Sequence, residues 1–109
     1  MATSSSTLES RIQDLLPELE HVYTDIHAHP ELSMQETRTA HVAADRLRAA
    51  GYNVTDGIGQ TGVVGLLRNG EGPTVMLRAD LDALPVREQT GLPYASTQTA
   101  TDSTGKTVP

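Results

Sequence analysis

The stretch Thr74-Val75-Met76-Leu77-Arg78-Ala79-Asp80-Leu81-Asp82-Ala83-Leu84-Pro85 decides how the chain is read, because an apolar run ends in an arginine and two aspartates and then a proline. Thr74 to Leu77 are short, β-prone and apolar on both faces, the pattern of a strand covered on both sides. The charges then fall at its C-terminal end, where ligands and chemistry collect in α/β sheets. In an extended segment Arg78, Asp80 and Asp82 share one face, with the aspartate Cα atoms roughly 6 to 7 Å apart. At an effective dielectric of about 20 the repulsion costs on the order of 2 to 3 kcal/mol, so the pair calls for a cation, a raised pKa or splayed side chains. Arg78 supplies part of that neutralisation. Asp80 and Asp82 are therefore the candidate catalytic residues, set against the plainer reading of aspartates that cap loops or pair with an arginine.

Working outward, an apolar strand over Val63 to Leu67 precedes Asn69-Gly70-Glu71-Gly72-Pro73, a turn signal that predicts a hairpin with Thr74 to Leu77. A shorter strand is expected over Tyr52 to Thr55, followed by a loop from Asp56 to Gly62. Gly57-Ile58-Gly59 lacks the third glycine and following helix of a dinucleotide fingerprint. Further upstream, Leu8, Ile12, Leu15, Leu16, Leu19, Val22, Tyr23 and Ile26 recur at helical spacing. Pro17 predicts either a kink or a fresh helix start. Pro30 places the helix end near Ala28 or His29. His27 and His29 then read as complements to the helix dipole, since residues two apart on a helix face different ways; an extended exit would let them act together. His21 and His41 read as surface residues. Ser33 and Glu36 predict a capping box that opens a second helix through Ala40, Ala43, Ala44, Leu47 and Ala50, stopped by Gly51.

Composition narrows the function classes. A chain of 109 residues is long enough for one domain, and with no Phe, Trp or Cys its core must come from Leu, Val, Ile and Ala. Acidic residues outnumber basic ones 14 to 8, for a net charge of −6, which argues against a nucleic-acid or anionic membrane partner. Without cysteine there is no disulfide or thiolate site, and no apolar run reaches the length of a membrane span, so the cytoplasm is the expected location. Residues 1–7 are expected to be a disordered N-terminus. Residues 96–109, rich in Thr and Ser, read as a hairpin turning at Asp102-Ser103-Thr104-Gly105 or as a disordered tail.

Arg78 to Pro85, followed by Glu88-Gln89-Thr90-Gly91-Leu92-Pro93-Tyr94, resembles the early segment of metal-dependent amidohydrolases of the aminoacylase and carboxypeptidase metallopeptidase superfamily, in particular the hippurate hydrolase and indoleacetyl-amino-acid hydrolase branch. His27-Ala28-His29-Pro30-Glu31-Leu32 with Glu36, and Gly51-Tyr52 leading to Gly59-Gln60-Thr61-Gly62-Val63-Val64-Gly65, agree in order, so the likeness runs from about Leu15 to the end. It implies an α/β fold, with two N-terminal helices packed on a small mixed sheet as the incomplete portion of a di-metal catalytic domain that takes in residues 8–95. It further implies hydrolysis of N-acyl amino acids or small amino-acid conjugates by metal-activated water, with two divalent ions, zinc or manganese, in the complete enzyme. By the same likeness Asp82 matches an aspartate that orients a metal-bound histidine, Asp80 stands where a wider set of relatives carries a histidine ligand, and dimer contacts belong to an inserted domain outside this sequence.

The His-x-Cys-Gly-His-Asp segment of such relatives is not among these residues, and two aspartates with an arginine fall short of the three or four protein ligands of a zinc-type site. No metal or cofactor is therefore expected on this chain alone, which reads as a catalytically incomplete fragment or, alternatively, as a non-catalytic domain that docks on a full-length relative. A sugar-nucleotide transferase using Asp80 and Asp82 lacks any element to cradle the nucleotide.

Overall fold

The structure, a computed structural model, describes residues 4–109, with side chains from Thr7 onward. Of the stretch expected to be disordered, Met1 to Thr3 lie outside the described residues, and the first helix, α1 (Ser4–Ala28), already begins at Ser4. It runs through Pro17 as one helix. The proline removes the bond its N–H would give to the Gln13 carbonyl. Residues 11–20 are all exposed, so water can serve that carbonyl and the helix need not restart. The helix stops before Pro30, with the His29 N–H on the Ile26 carbonyl at 3.1 Å.

The second helix, α2 (Thr37–Ala49), departs from expectation at its start. Glu36 is the residue before the first helical one rather than the third residue inside the helix, so the capping box from Ser33 does not form. Glu31 takes that role from five residues upstream of Glu36. Its carboxylate accepts the backbone N–H of Arg38 at 2.9 Å and of Thr39 at 2.6 Å, and the Thr39 hydroxyl at 2.6 Å. Burial pushes the Glu31 carboxyl up, but the Thr39 hydroxyl and the two N–H groups outweigh it, leaving the group below its ordinary value. At the other end the Gly51 N–H reaches the Arg48 carbonyl and the Tyr52 N–H reaches the Leu47 carbonyl, a Schellman stop that requires the positive φ of Gly51.

After this stop the chain forms β1 (Asn53–Ile58) and β2 (Gly62–Leu66), paired antiparallel from Asn53 opposite Leu66 to Ile58 opposite Gly62. The expected loop over Asp56 to Gly62 is shorter, because the turn is confined to Gly59, Gln60 and Thr61, where Gly59 and Gln60 both take positive φ. β2 thus pairs with β1 and not with Thr74 to Leu77. That predicted strand is absent: Val75, Met76 and Leu77 are 84%, 82% and 96% exposed. A run apolar on both faces gains from strand formation only when both faces are covered, and α2 covers β1 and β2 alone. Gly65 lets β2 approach α2 closely, since a Cβ there would lie 3.1 Å from Leu47 Cδ1 and 3.3 Å from Tyr52 Cδ2.

Residues 96–109 contain a second hairpin, β3 (Ala100–Thr101) with β4 (Thr107–Val108). Asp102 holds its turn by accepting the N–H groups of Thr104 and Lys106, both at 2.9 Å. The protein is thus of α/β class, and its described residues form two helices and two antiparallel two-stranded sheets in place of one mixed sheet. Among the described residues the parallel pairing is limited to an isolated bridge between Leu32 and Ala83. Among the described residues α2 packs on β1 and β2, and the buried apolar residues are Ala40 and Ala44. None of the helices described is long and apolar enough to cross a membrane.

Glu31→Ala should lower unfolding free energy by about 1 kcal/mol, the usual value of a helix cap, while Ser33→Ala leaves it unchanged. Urea midpoints of the two variants, followed by circular dichroism, distinguish the remote cap from a local capping box.

Candidate functional site

The residues leaving α1 build one side of a cleft. Pro30 ends the helix, and Glu31 then serves two neighbours at once: its side chain caps α2, while its main-chain carbonyl accepts the Ala83 N–H at 2.8 Å. With the bridge from Leu32 to Ala83, this docks the segment bearing Asp80 and Asp82 beside the helix junction. The result is a cleft of about 530 Å³ whose lining includes His27, Glu31, Thr39, Asp80, Asp82 and Glu88.

The two aspartates differ in their surroundings. Arg78 Nη2 lies 2.7 Å from Asp80 Oδ1, with the two side chains 76% and 64% exposed, so the pair is a surface ion pair of small energetic weight. Asp82 has no hydrogen-bond or ion-pair partner among the described residues. The structure therefore brings both sequence candidates to one cleft and leaves Asp82 available there. Among the described residues no three His, Cys, Asp or Glu side chains converge as a metal-holding group.

The opposite end of the cleft is organised by a residue that local sequence patterns pass over. Glu88 accepts His27 Nε2–H, with contacts of 3.0 and 2.9 Å to its two oxygens, the Ser96 backbone N–H at 2.8 Å and the Thr90 hydroxyl. The His27 ring stacks on Tyr23 and meets Tyr94 edge-on, with centroids 6.1 and 5.1 Å away. His27 thus has a specific acidic partner beyond the helix dipole. His29 does not join it: its Nδ1–H donates to the Asp25 carbonyl at 2.7 Å, in the last turn of its own helix. Sequence reasoning could not pair His27 with Glu88 because 61 residues separate them. The available signal was that both lie in the ordered blocks carrying the resemblance. Glu36 is buried and accepts the Met34 N–H and the Thr61 hydroxyl, so it ties the entry of α2 to the β1–β2 turn. His41 pairs with Asp45 on the surface.

The donors around Glu88, the Thr90 hydroxyl foremost and then His27 and the Ser96 N–H, depress its carboxyl from 4.5 to about 2. A folded value below the unfolded one means that its contribution to stability is complete above about pH 4.5 and is lost as the pH falls through about 2. Carbon-13 NMR titration of the Glu88 side chain should give a midpoint near the lower figure. An unshifted midpoint would show that the donors do not grip it in solution.

No protein-family model and no solved structure matches the chain. Among curated proteins it is similar to a probable hydrolase of Synechocystis sp., 46% identical over 91 residues covering 82% of this chain and 23% of that protein. It is 48% identical to the hippurate hydrolase of Campylobacter jejuni over 86 residues, 78% of this chain and 22% of the relative. A putative amidohydrolase of Bacillus subtilis is 39% identical over 98 residues, 85% of this chain and 25% of the relative. The chain spans about a quarter of the length of these relatives. A match over 78% of the 109 residues necessarily takes in the segment from Glu31 to Asp82, whose two ends line the cleft. The chain belongs, as a segment, to the amidohydrolase superfamily that the residues around Asp80 and Asp82 resemble.

Proposed function

We propose that this chain supplies the carboxylate-bearing wall of a hydrolytic centre that cleaves the amide bond of N-acyl amino acids or small amino-acid conjugates. The observation that carries the proposal is the 48% identity with hippurate hydrolase across a segment whose aspartates border the cleft. The resemblance implies two divalent ions, zinc or manganese, in the complete enzyme. In this reading the part of the chain is to orient and to shape, and further polypeptide supplies the three or four ligands that such an ion takes.

Within that reading Asp82 has the clearer task. Exposed at the cleft and without a partner of its own, its carboxylate accepts an N–H from a histidine on the remaining polypeptide and so fixes that ring's orientation and tautomer. Asp80, neutralised by Arg78, contributes local charge balance. A cytoplasmic setting is part of the proposal and agrees with a sequence free of cysteine.

Two experiments test it. The 109-residue chain with zinc or manganese should not turn over N-benzoylglycine or N-acetyl amino acids; turnover would overturn the division of labour just described. Grafted in place of the matched segment of the Campylobacter hippurate hydrolase, the chain should retain hydrolysis, and Asp82→Asn in that graft should reduce kcat by about 10- to 100-fold. A folded graft with no hydrolysis would sink the functional reading.

A further inference from the structure

The connection just beyond the wall that carries Asp80 and Asp82 gains little from apolar packing. Leu84 and Val86, its large apolar side chains, are 76% and 69% exposed. Polar anchors hold it instead. At one end the Ala83 N–H is bound by the Glu31 carbonyl at 2.8 Å. At the other, Glu88 is gripped through His27, Thr90 and Ser96. Between the anchors lie only Leu84, Pro85, Val86 and Arg87, and the proline stiffens that link. Both anchors lead back to the same place: His27 is in the last turn of α1, and Glu31 leaves it.

The Glu88 anchor is built for fixed geometry. Its carboxylate is 14% exposed and takes donors from three separate residues, two of them on its own segment and one on the helix. The His27 ring is set in turn by Tyr23 on one face and by the edge-on Tyr94, which belongs to the same connection as Glu88. Neither residue is free to swing without breaking several contacts.

We propose that Glu88 is a positioning residue of the hydrolytic centre: clasped to His27, it sets the distance between the end of α1 and the Asp80–Asp82 wall, and turnover depends on that distance. This rests on reading the cleft as part of such a centre. Misplacement of catalytic walls by fractions of an ångström to an ångström lowers rates far more than it lowers affinity for a substrate held mainly elsewhere.

The test uses the graft in hippurate hydrolase and the 109-residue chain in parallel. In the graft, Glu88→Gln and His27→Phe should each lower kcat roughly tenfold with KM and bound metal within about twofold of the parent. His27→Phe keeps a ring between the tyrosines and loses the donor. His27→Gln, whose amide N–H can replace Nε2–H, should restore most of the rate, which a purely packing role for the ring would not predict. Thr90→Val removes a single donor and should give a smaller loss, so the proposal stays testable if Glu88→Gln fails to fold. Parental kcat in the two principal variants, or in Thr90→Val where the others do not fold, overturns it. If the graft with Glu88 intact is inactive, the functional reading fails, and the clasp is judged on the chain alone. There, nitrogen-15 spectra should show His27 protonated at Nε2, and Glu88→Gln or Thr90→Val should speed amide exchange across residues 86–96 by about tenfold. Unchanged exchange would overturn the clasp itself.

Discussion

Glu31 joins the end of α1, the start of α2 and the acidic segment. Its side chain satisfies the N–H groups of Arg38 and Thr39 that α2 cannot satisfy internally, and its main chain binds Ala83. One residue therefore sets the direction in which α2 leaves α1 and the place where the acidic segment docks. The arrangement is economical for a chain whose buried apolar residues, among those described, are two alanines. Where little area is removed from water, relative placement of elements falls to hydrogen bonds in partly buried settings, where they are strong and unpaired groups are costly.

The same principle orders the acidic groups. Each of Glu31, Glu36 and Glu88 is surrounded by N–H and O–H dipoles, and each is held below its ordinary pKa. For Glu36 the Thr61 hydroxyl contributes most and outweighs burial; for Glu88 it is the Thr90 hydroxyl. Hydrogen-bond donors thus contribute most of the lowering at all three, with Arg38 and His27 adding less at Glu31 and Glu88. Asp25, by contrast, is lowered chiefly by the Arg38 guanidinium on an exposed surface, an interaction that salt screens readily. The acidic excess of the sequence is therefore not a uniform solvated face. Part of it is internal scaffolding, and the carboxylate left over at the cleft is Asp82.

Much of this was legible in the sequence wherever the signal was local. Apolar spacing marked α1 and α2, Pro30 marked the end of the first and Gly51 the end of the second, and the apolar run at Val63 marked β2. The failures share a cause. Ser33 and Glu36 have the spacing of a capping box, but a carboxylate with greater reach, Glu31, occupies the N–H groups. Thr74 to Leu77 have the composition of a buried strand, but composition cannot say which elements cover it, and α2 covers β1 and β2. Asp56 to Gly62 have the composition of a loop, but the positive φ of Gly59 and Gln60 permits a tight turn that closes β1 directly onto β2. At the site, the resemblance led to Asp80 and Asp82, which the structure brings to one cleft, while the partnership of His27 with Glu88 needed coordinates because nothing within either neighbourhood names the other.

The unequal anchoring of the acidic segment bears on which aspartate is better placed. On the side of Asp82 the chain is fixed one residue away, at Ala83, by a main-chain bond to Glu31 and by the bridge to Leu32. On the side of Asp80 the preceding residues from Thr74 to Ala79 form no strand and are exposed, and the local tie is a surface ion pair with Arg78. Exposed pairs of this kind contribute about 0 to 1 kcal/mol, too little to hold a segment in one geometry. A group that must orient another side chain needs its own position fixed first. By that criterion the sequence pattern Asp-x-Asp, which treats its two members alike, resolves in three dimensions into one carboxylate held near its charge partner and another held in place with its charge unspent.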